Sequence, residues 1–144
     1  MSAMINFYTE SVDFPFSRRG SKADLRTYIN NLISNEGKKT GDINYIFCTD
    51  DYLLEINKQY LSHDYYTDVI TFDYSEFPVV SGDIFISVDM VRNNAKEFAP
   101  SIEHEMYRVI FHGVLHLCGY MDKQPDEEKL MREKEDYYLA ANKI

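Results

Sequence analysis

The stretch from Ser101 to Cys118 constrains this chain more than any other. Its second half carries Val109, Ile110, Phe111, Val114, Leu115 and Leu117 and leaves almost no polar face. A helix that is apolar nearly all round has to be covered by other elements, so the few polar residues on it are the informative ones. His112 and His116 stand four residues apart. On a helix they project from one face, one turn above the other, with Cβ atoms roughly 6 Å apart. Each buried polar group left unsatisfied costs on the order of 1 to 3 kcal/mol, so both imidazoles need a hydrogen-bond partner or a ligand. Gly119 can adopt the left-handed conformation that ends a helix. The three residues beyond it span at most about 10 Å, enough to bring Asp122 back toward the same point. His112, His116 and Asp122 are therefore a candidate metal-ligand set with open coordination positions.

Two neutral nitrogens and one carboxylate oxygen suit Zn2+, with nickel, manganese or iron as other divalent candidates. A two-histidine helix invites comparison with zinc proteases, whose H-E-x-x-H motif places a general-base glutamate directly after the first histidine. Here that residue is Gly113, and without the carboxylate no base for peptide hydrolysis is evident. Cys118 lies two residues after His116, about 200° round the helix, and is expected to face away from the ligand set. Cys48 and Cys118 are the only cysteines and read as buried thiols rather than a disulfide or redox pair.

Periodicity divides the rest of the chain into elements. Met4 to Thr9 alternates as a short strand, and Ser21 to about Gly37 has helical spacing at Leu25, Tyr28, Ile29, Leu32 and Ile33, with Ser21 and Asp24 resembling a capping box. Ile43 to Cys48 is dense in β-formers, and Thr49, Asp50 and Asp51 can cap a helix running to about Leu61. Thr67 to Tyr74 and Gly82 to Val88 alternate as neighbouring strands, joined by a turn region containing Pro78, Ser81 and Gly82. A helix from about Asp89 to Phe98 precedes Pro100, Ser101 caps the next, and a last helix starts near Pro125 and runs towards Asn142. The expected architecture is α+β, a small mixed β-sheet packed by helices, one of which carries the His-x3-His pair.

A length of 144 residues suits a single domain over residues 1–144. The hydrophobic runs are too short for a bilayer span, and the start lacks the basic and apolar regions of a signal peptide, so a cytoplasmic location is expected. Lys and Arg number 15 against 24 Asp and Glu, a formal charge of −9, which repels polyanions at long range. The charge is uneven. Arg18, Arg19, Lys22 and Arg26 gather near the first helix, where they form either a local basic surface or an ordinary solvated helix start. The acidic load falls at the other end, on Asp126, Glu127, Glu128, Glu133, Glu135 and Asp136.

The run His112-Gly113-Val114-Leu115-His116-Leu117-Cys118-Gly119-Tyr120 resembles the H-G-x-L-H-L-x-G-Y core of the YbeY family, bacterial metal-dependent endoribonucleases of ribosomal RNA maturation. Upstream, Asn57-Lys58-Gln59-Tyr60, Thr67-Asp68-Val69-Ile70-Thr71-Phe72 and Gly82-Asp83-Ile84-Phe85-Ile86-Ser87 resemble that family's N-x-x-Y, T-D-V-L-S-F and G-D-I-x-I-S segments in order and spacing. The resemblance covers roughly residues 40 to 140. It implies a single-strand-specific endoribonuclease acting in ribosomal RNA maturation and ribosome quality control, with His112, His116 and Asp122 catalytic through a bound ion, zinc first among the candidates. The implied partners are ribosomal RNA and the ribosome or a pre-ribosomal particle, not DNA or a membrane. Arg18, Arg19, Lys22 and Arg26 are then candidate phosphate contacts, some of the twelve tyrosines candidate base-stacking residues, and Asp68 either orients a ligand or closes a turn.

Two positions depart from the family pattern. The family motif ends in Asp-His where an ungapped match places Met121-Asp122, so Asp122 replaces a histidine ligand; a one-residue shift would put Lys123 there instead. Leu61 stands where the family commonly has an arginine, with His63 as a nearby substitute cation. Two other readings stay open: a ribosome-assembly factor whose ion only staples the fold, and a metal-dependent hydrolase with a non-RNA substrate.

Overall fold

The computed structural model of the protein describes residues 4–144. Its elements are β1 (Ile5–Thr9), α1 (Ser21–Asn35), β2 (Lys39–Cys48), α2 (Asp50–Leu61), β3 (Val69–Asp73), β4 (Val79–Ser87), α3 (Val88–Phe98), α4 (Ile102–Leu117) and α5 (Pro125–Ala141). The four strands form one mixed sheet in the order β1-β2-β4-β3. β1 runs parallel to β2 and β2 parallel to β4, while β3 returns antiparallel along β4. The architecture is the expected α+β fold, a small mixed sheet packed by helices.

The sheet has two differently covered faces. Ile43, Tyr45 and Phe47 of β2 and Ile84 and Ile86 of β4 belong to the main core, shared with Leu25, Ile29 and Leu32 of α1 and Ile110, Phe111 and Val114 of α4. A smaller cluster of Cys48, Leu53 and Ile70 sits under α2, as the alternation of side chains along strands requires. Both thiols are free and buried. Burial pushes each up to about 12, which keeps them neutral and inert.

Helix α4 is the buried helix that its composition demands. Val109, Ile110, Phe111, Val114, Leu115 and Leu117 are each at most 1% exposed, and burying such side chains stabilises by about 1.5 to 3 kcal/mol apiece. Tyr45 donates its hydroxyl to the Ile110 carbonyl at 2.9 Å, satisfying a phenol inside the core. A Cβ built on Gly113 would lie 2.7 Å from Cγ2 of Ile84. The helix therefore rides directly on β4, and the position that holds glutamate in zinc proteases has no room for a side chain.

Three local expectations change. Ser21 is the first buried residue inside α1, not its cap; Gly20 caps the helix with φ 84° and no side-chain bond. The Asp24 carboxylate instead accepts from Arg18 at 2.5 Å, so no capping box forms. Ser81 and Gly82 lie within β4 instead of the turn, because Gly82 is paired on both sides, with Ile43 and with Asp73. β2 also begins earlier than its β-rich run, since Lys39 and Thr40 pair with Val79 and Val80. Elsewhere the caps fall where expected: the Thr49 and Ser101 side chains accept from the amides of Tyr52 and His104. Among the described residues, no helix is long and apolar enough to cross a membrane.

Candidate metal centre

The last turn of α4 and the segment that follows it build the site. Gly119, with φ 111°, reverses the chain after Cys118, and the Tyr120 amide donates back to the Leu115 carbonyl at 3.1 Å. That closure returns Asp122 to the helix it has just left. His112 Nε2 and His116 Nε2 stand 3.1 Å apart, and Asp122 Oδ2 lies 3.3 Å from the first and 3.1 Å from the second. The two imidazole side chains are 15% and 20% exposed and the carboxylate 36%. The nitrogens are thus shielded while the carboxylate stands at the mouth. Lys123, the alternative under a shifted match, is exposed.

The partners on the far side of each ring decide what these nitrogens can do. His116 Nδ1 lies 2.8 Å from the Tyr120 carbonyl. A carbonyl can only accept, so Nδ1 carries the proton and Nε2 presents a lone pair. His112 Nδ1 lies 2.6 Å from Glu135 Oε2, and an ionised carboxylate imposes the same tautomer. Burial, and then the neighbouring His112, push the His116 imidazole below the ordinary histidine value, outweighing the pull of Asp122 in the other direction. Two lone pairs and a carboxylate oxygen therefore converge on one point, an arrangement that repels itself unless a cation sits among them.

The donor set fits a divalent transition metal. Donors about 2.0 to 2.2 Å from a tetrahedral ion stand roughly 3.3 to 3.6 Å apart, close to the separations found here. His112, His116 and Asp122 form a three-donor group suited to an ion. Cys118 is not in that group, in keeping with a thiol that faces away from the two imidazoles.

Behind the candidate ligands is a charged network that sequence reasoning missed. Glu135 is 2% exposed; one oxygen takes His112 Nδ1 and the other takes Arg108 Nη1 at 2.9 Å. Arg108 also donates through Nε to Glu105 at 2.8 Å and through Nη2 to the same carboxylate. Burial alone would raise the Glu135 carboxyl; the hydrogen bond it accepts from His112 and its ion pair with the Arg108 guanidinium outweigh burial and hold it below the usual range. Two signals for this network were in the sequence. Arg108 precedes His112 by four residues on the same helix face, and Glu135 interrupts the buried stripe of Met131, Tyr138 and Leu139 on α5.

A second anchor holds the turn. Tyr120 donates its hydroxyl to Glu36 at 2.5 Å, Tyr138 donates to the other oxygen, and Lys134 Nζ lies 3.4 Å away. This ties the end of α1, the turn after α4 and helix α5 together. Because the Tyr120 carbonyl takes the His116 proton, the anchor reaches a candidate ligand.

The other sequence candidates are placed elsewhere. Arg18 is paired with Asp24, Lys22 lies over the Phe14 ring at 5.0 Å, and Arg26 donates to the Ile5 carbonyl at 2.9 Å. These cations are tied into packing around the first strand and helix. The Asp68 carbonyl accepts from the Ser87 amide at 2.9 Å, and among the described residues its carboxyl makes no hydrogen bond to a candidate ligand; Glu135 does that work for His112. Leu61 ends α2 and is 38% exposed. His63 Nδ1 is engaged with the Tyr65 hydroxyl at 3.0 Å.

A mixed four-stranded sheet, a buried helix presenting two imidazoles with locked tautomers, and a turn that returns a carboxylate to them define an α+β protein with a candidate metal centre. The chain belongs to the Endoribonuclease YbeY family, whose pattern it matches over residues 6–143. It is 49% identical over 136 residues to an Endoribonuclease YbeY of Parabacteroides distasonis, covering 94% of both chains. It is 51% identical over 136 residues to one of Flavobacterium psychrophilum, again covering 94% of both. The solution structure of TM1509 from Thermotoga maritima superposes with a TM-score of 0.67 at 31% identity, spanning 96% of this chain and 89% of that one.

Proposed function

We propose that this protein is a metal-dependent endoribonuclease that cleaves single-stranded RNA in ribosomal RNA maturation and ribosome quality control. It acts as one domain in the cytoplasm on ribosomal RNA within the ribosome or a pre-ribosomal particle. The reading is carried by one observation: in a chain of this family, His112 Nε2, His116 Nε2 and Asp122 Oδ2 converge while both Nδ1 protons are committed elsewhere. These three residues would hold the ion, and Zn2+ suits two nitrogens and one oxygen. When bound, the ion supplies Lewis acidity towards a phosphate oxygen and acidifies water. The chain's own part is to fix the donors. Glu135 and the Tyr120 carbonyl hold the two rings, and the Arg108 salt bridges hold Glu135.

An ion that merely staples the fold would be closed by a fourth protein donor. Here three donors stand beside a cavity of about 290 Å³ lined in part by His112 and Asp122, which supports a site that receives substrate.

The test is to purify the chain, measure bound zinc, and assay cleavage of a single-stranded RNA by wild type and by His116→Ala. Stoichiometric zinc and cleavage in the wild type, both lost in the variant, are expected. Equal cleavage by the two proteins would overturn the nuclease reading and leave the ion a structural role.

A further inference from the structure

The cavity beside the candidate ligands is lined by two arginines, Arg108 and Arg132, and three carboxylates, Asp122, Glu128 and Glu135. Its lining is net anionic as it stands, and a divalent cation reverses that balance. The two arginines are not equivalent. Arg108 is 15% exposed and spends its guanidinium on Glu105 and Glu135. Arg132 is 60% exposed, and its contact to Glu135 is 3.7 Å, beyond hydrogen-bond length. It rises from α5 one turn before Glu135, on the rim of the space that His112 and Asp122 face. Its donors make no hydrogen bond among the described residues and are available to an anion that enters the cavity, whereas Arg108 already spends three of its five on Glu105 and Glu135.

We propose that Arg132 is a substrate-binding residue whose guanidinium takes a phosphate of the RNA strand next to the linkage held at the metal centre. Arginine suits this task because its planar fork meets two phosphate oxygens at once and keeps its charge at any working pH. Rim exposure costs nothing until the strand arrives. Glu135 keeps the side chain on the correct side of α5 without saturating it. The proposal rests on the endoribonuclease reading and adds to it a residue that touches substrate away from the ion.

The test compares wild type, Arg132→Ala, Arg132→Lys and His116→Ala. It measures zinc content, KM and kcat on a single-stranded RNA oligonucleotide, the affinity for that oligonucleotide by fluorescence anisotropy, and the dependence of both on salt. Arg132→Ala is expected to keep its zinc and to bind RNA about tenfold more weakly, with KM rising in step and kcat little changed. Its salt slope is expected to shrink by about 0.7, the contribution of one phosphate on a single strand. Arg132→Lys restores the slope and part of the affinity, since it keeps the charge and loses the fork. Wild-type KM, affinity and salt slope in Arg132→Ala, alongside a dead His116→Ala, would overturn the role of Arg132 and leave the nuclease reading standing. Loss of zinc in proportion to loss of activity would also overturn it, because Arg132 would then act on Glu135. A wild type that neither binds nor cleaves RNA overturns both.

Discussion

Two acid-lined cavities in this molecule look alike in composition and differ in chemistry. One lies at the start of α2 and α3, has a volume of about 460 Å³, and is lined by Asp50, Asp51 and Asp89. The other, smaller at about 290 Å³, adjoins His112 and Asp122. In the larger one the carboxylates are spent on neighbours. Asp50 accepts from the Ser87 hydroxyl, Asp89 from the Asp50 amide at 3.3 Å, and Asp51 from the Tyr66 hydroxyl at 3.2 Å. All three also sit at helix N-termini, where the dipole stabilises negative charge. In the smaller one the donors are spent behind the rings, and lone pairs are left facing one another. Volume and acid count do not mark a candidate metal centre; acceptors aimed at a common point with no donor between them do.

The strongest way to break this contrast is at Asp122. Asp122→Ala is expected to weaken zinc binding by about a hundredfold or more, because it removes one of three donors and the only full negative charge among them. Unchanged affinity in a zinc titration would show that the carboxylate is not a ligand and would dissolve the distinction between the cavities.

Glu135→Gln tests the second half of the contrast, that protons are locked behind the rings. It is expected to lower zinc affinity about 10- to 100-fold while the ligands stay in place. It should also lower thermal stability, since Arg108 loses the charge of one of its two buried partners. Zinc affinity equal to wild type would mean that His112 needs no orienting group.

A smaller effect is expected at Glu36, which anchors Tyr120. Burial raises its carboxyl, but the hydrogen bonds from Tyr120 and Tyr138 and the charge of Lys134 outweigh burial and hold it below its ordinary value of 4.5. The unfolded chain therefore takes up this proton first as the pH falls. The stability contributed by Glu36 is complete above about pH 4.5 and is lost as the pH drops from there through the folded value. Glu36→Gln is expected to flatten that acid limb in pH-dependent denaturant melts, and an unchanged limb would remove Glu36 from the anchor.

The smallest effect belongs to the larger cavity. Asp89→Asn is expected to leave zinc content and RNA cleavage at wild-type levels and to change stability by about 1 kcal/mol or less, the scale of a helix-terminal charge. A drop in bound zinc would show that this cavity, too, holds an ion.

How much of the site was legible depended on sequence distance. His112, His116, Gly119 and Asp122 fall within eleven consecutive residues, so helix pitch and one turn were enough to bring them together. Glu135 lies 23 residues from His112 and Glu36 lies 84 from Tyr120, and nothing local says which buried face each will meet. The same divide separates the parts of the fold. Helix positions and the caps at Thr49 and Ser101 followed from local sequence, while the cap of α1 fell on Gly20 instead of Ser21, and β2 and β4 began earlier than their apolar runs because Lys39 and Val79 are strand only by pairing with each other.

The sequence by itself determined the helices, a buried α4, the imidazole pair on its face and the carboxylate beyond Gly119, because each depends on contacts within a few turns of chain. Tertiary structure alone decided the strand order, the tautomers of the two histidines, the salt-bridged support beneath His112 and the placement of Arg132 at the cavity rim. The physical reason is the same for all four. A tautomer, a salt bridge or a strand neighbour is set by whatever group packing brings to within about 3 Å for a hydrogen bond, or about 5 Å for a strand, and only the folded chain brings it there.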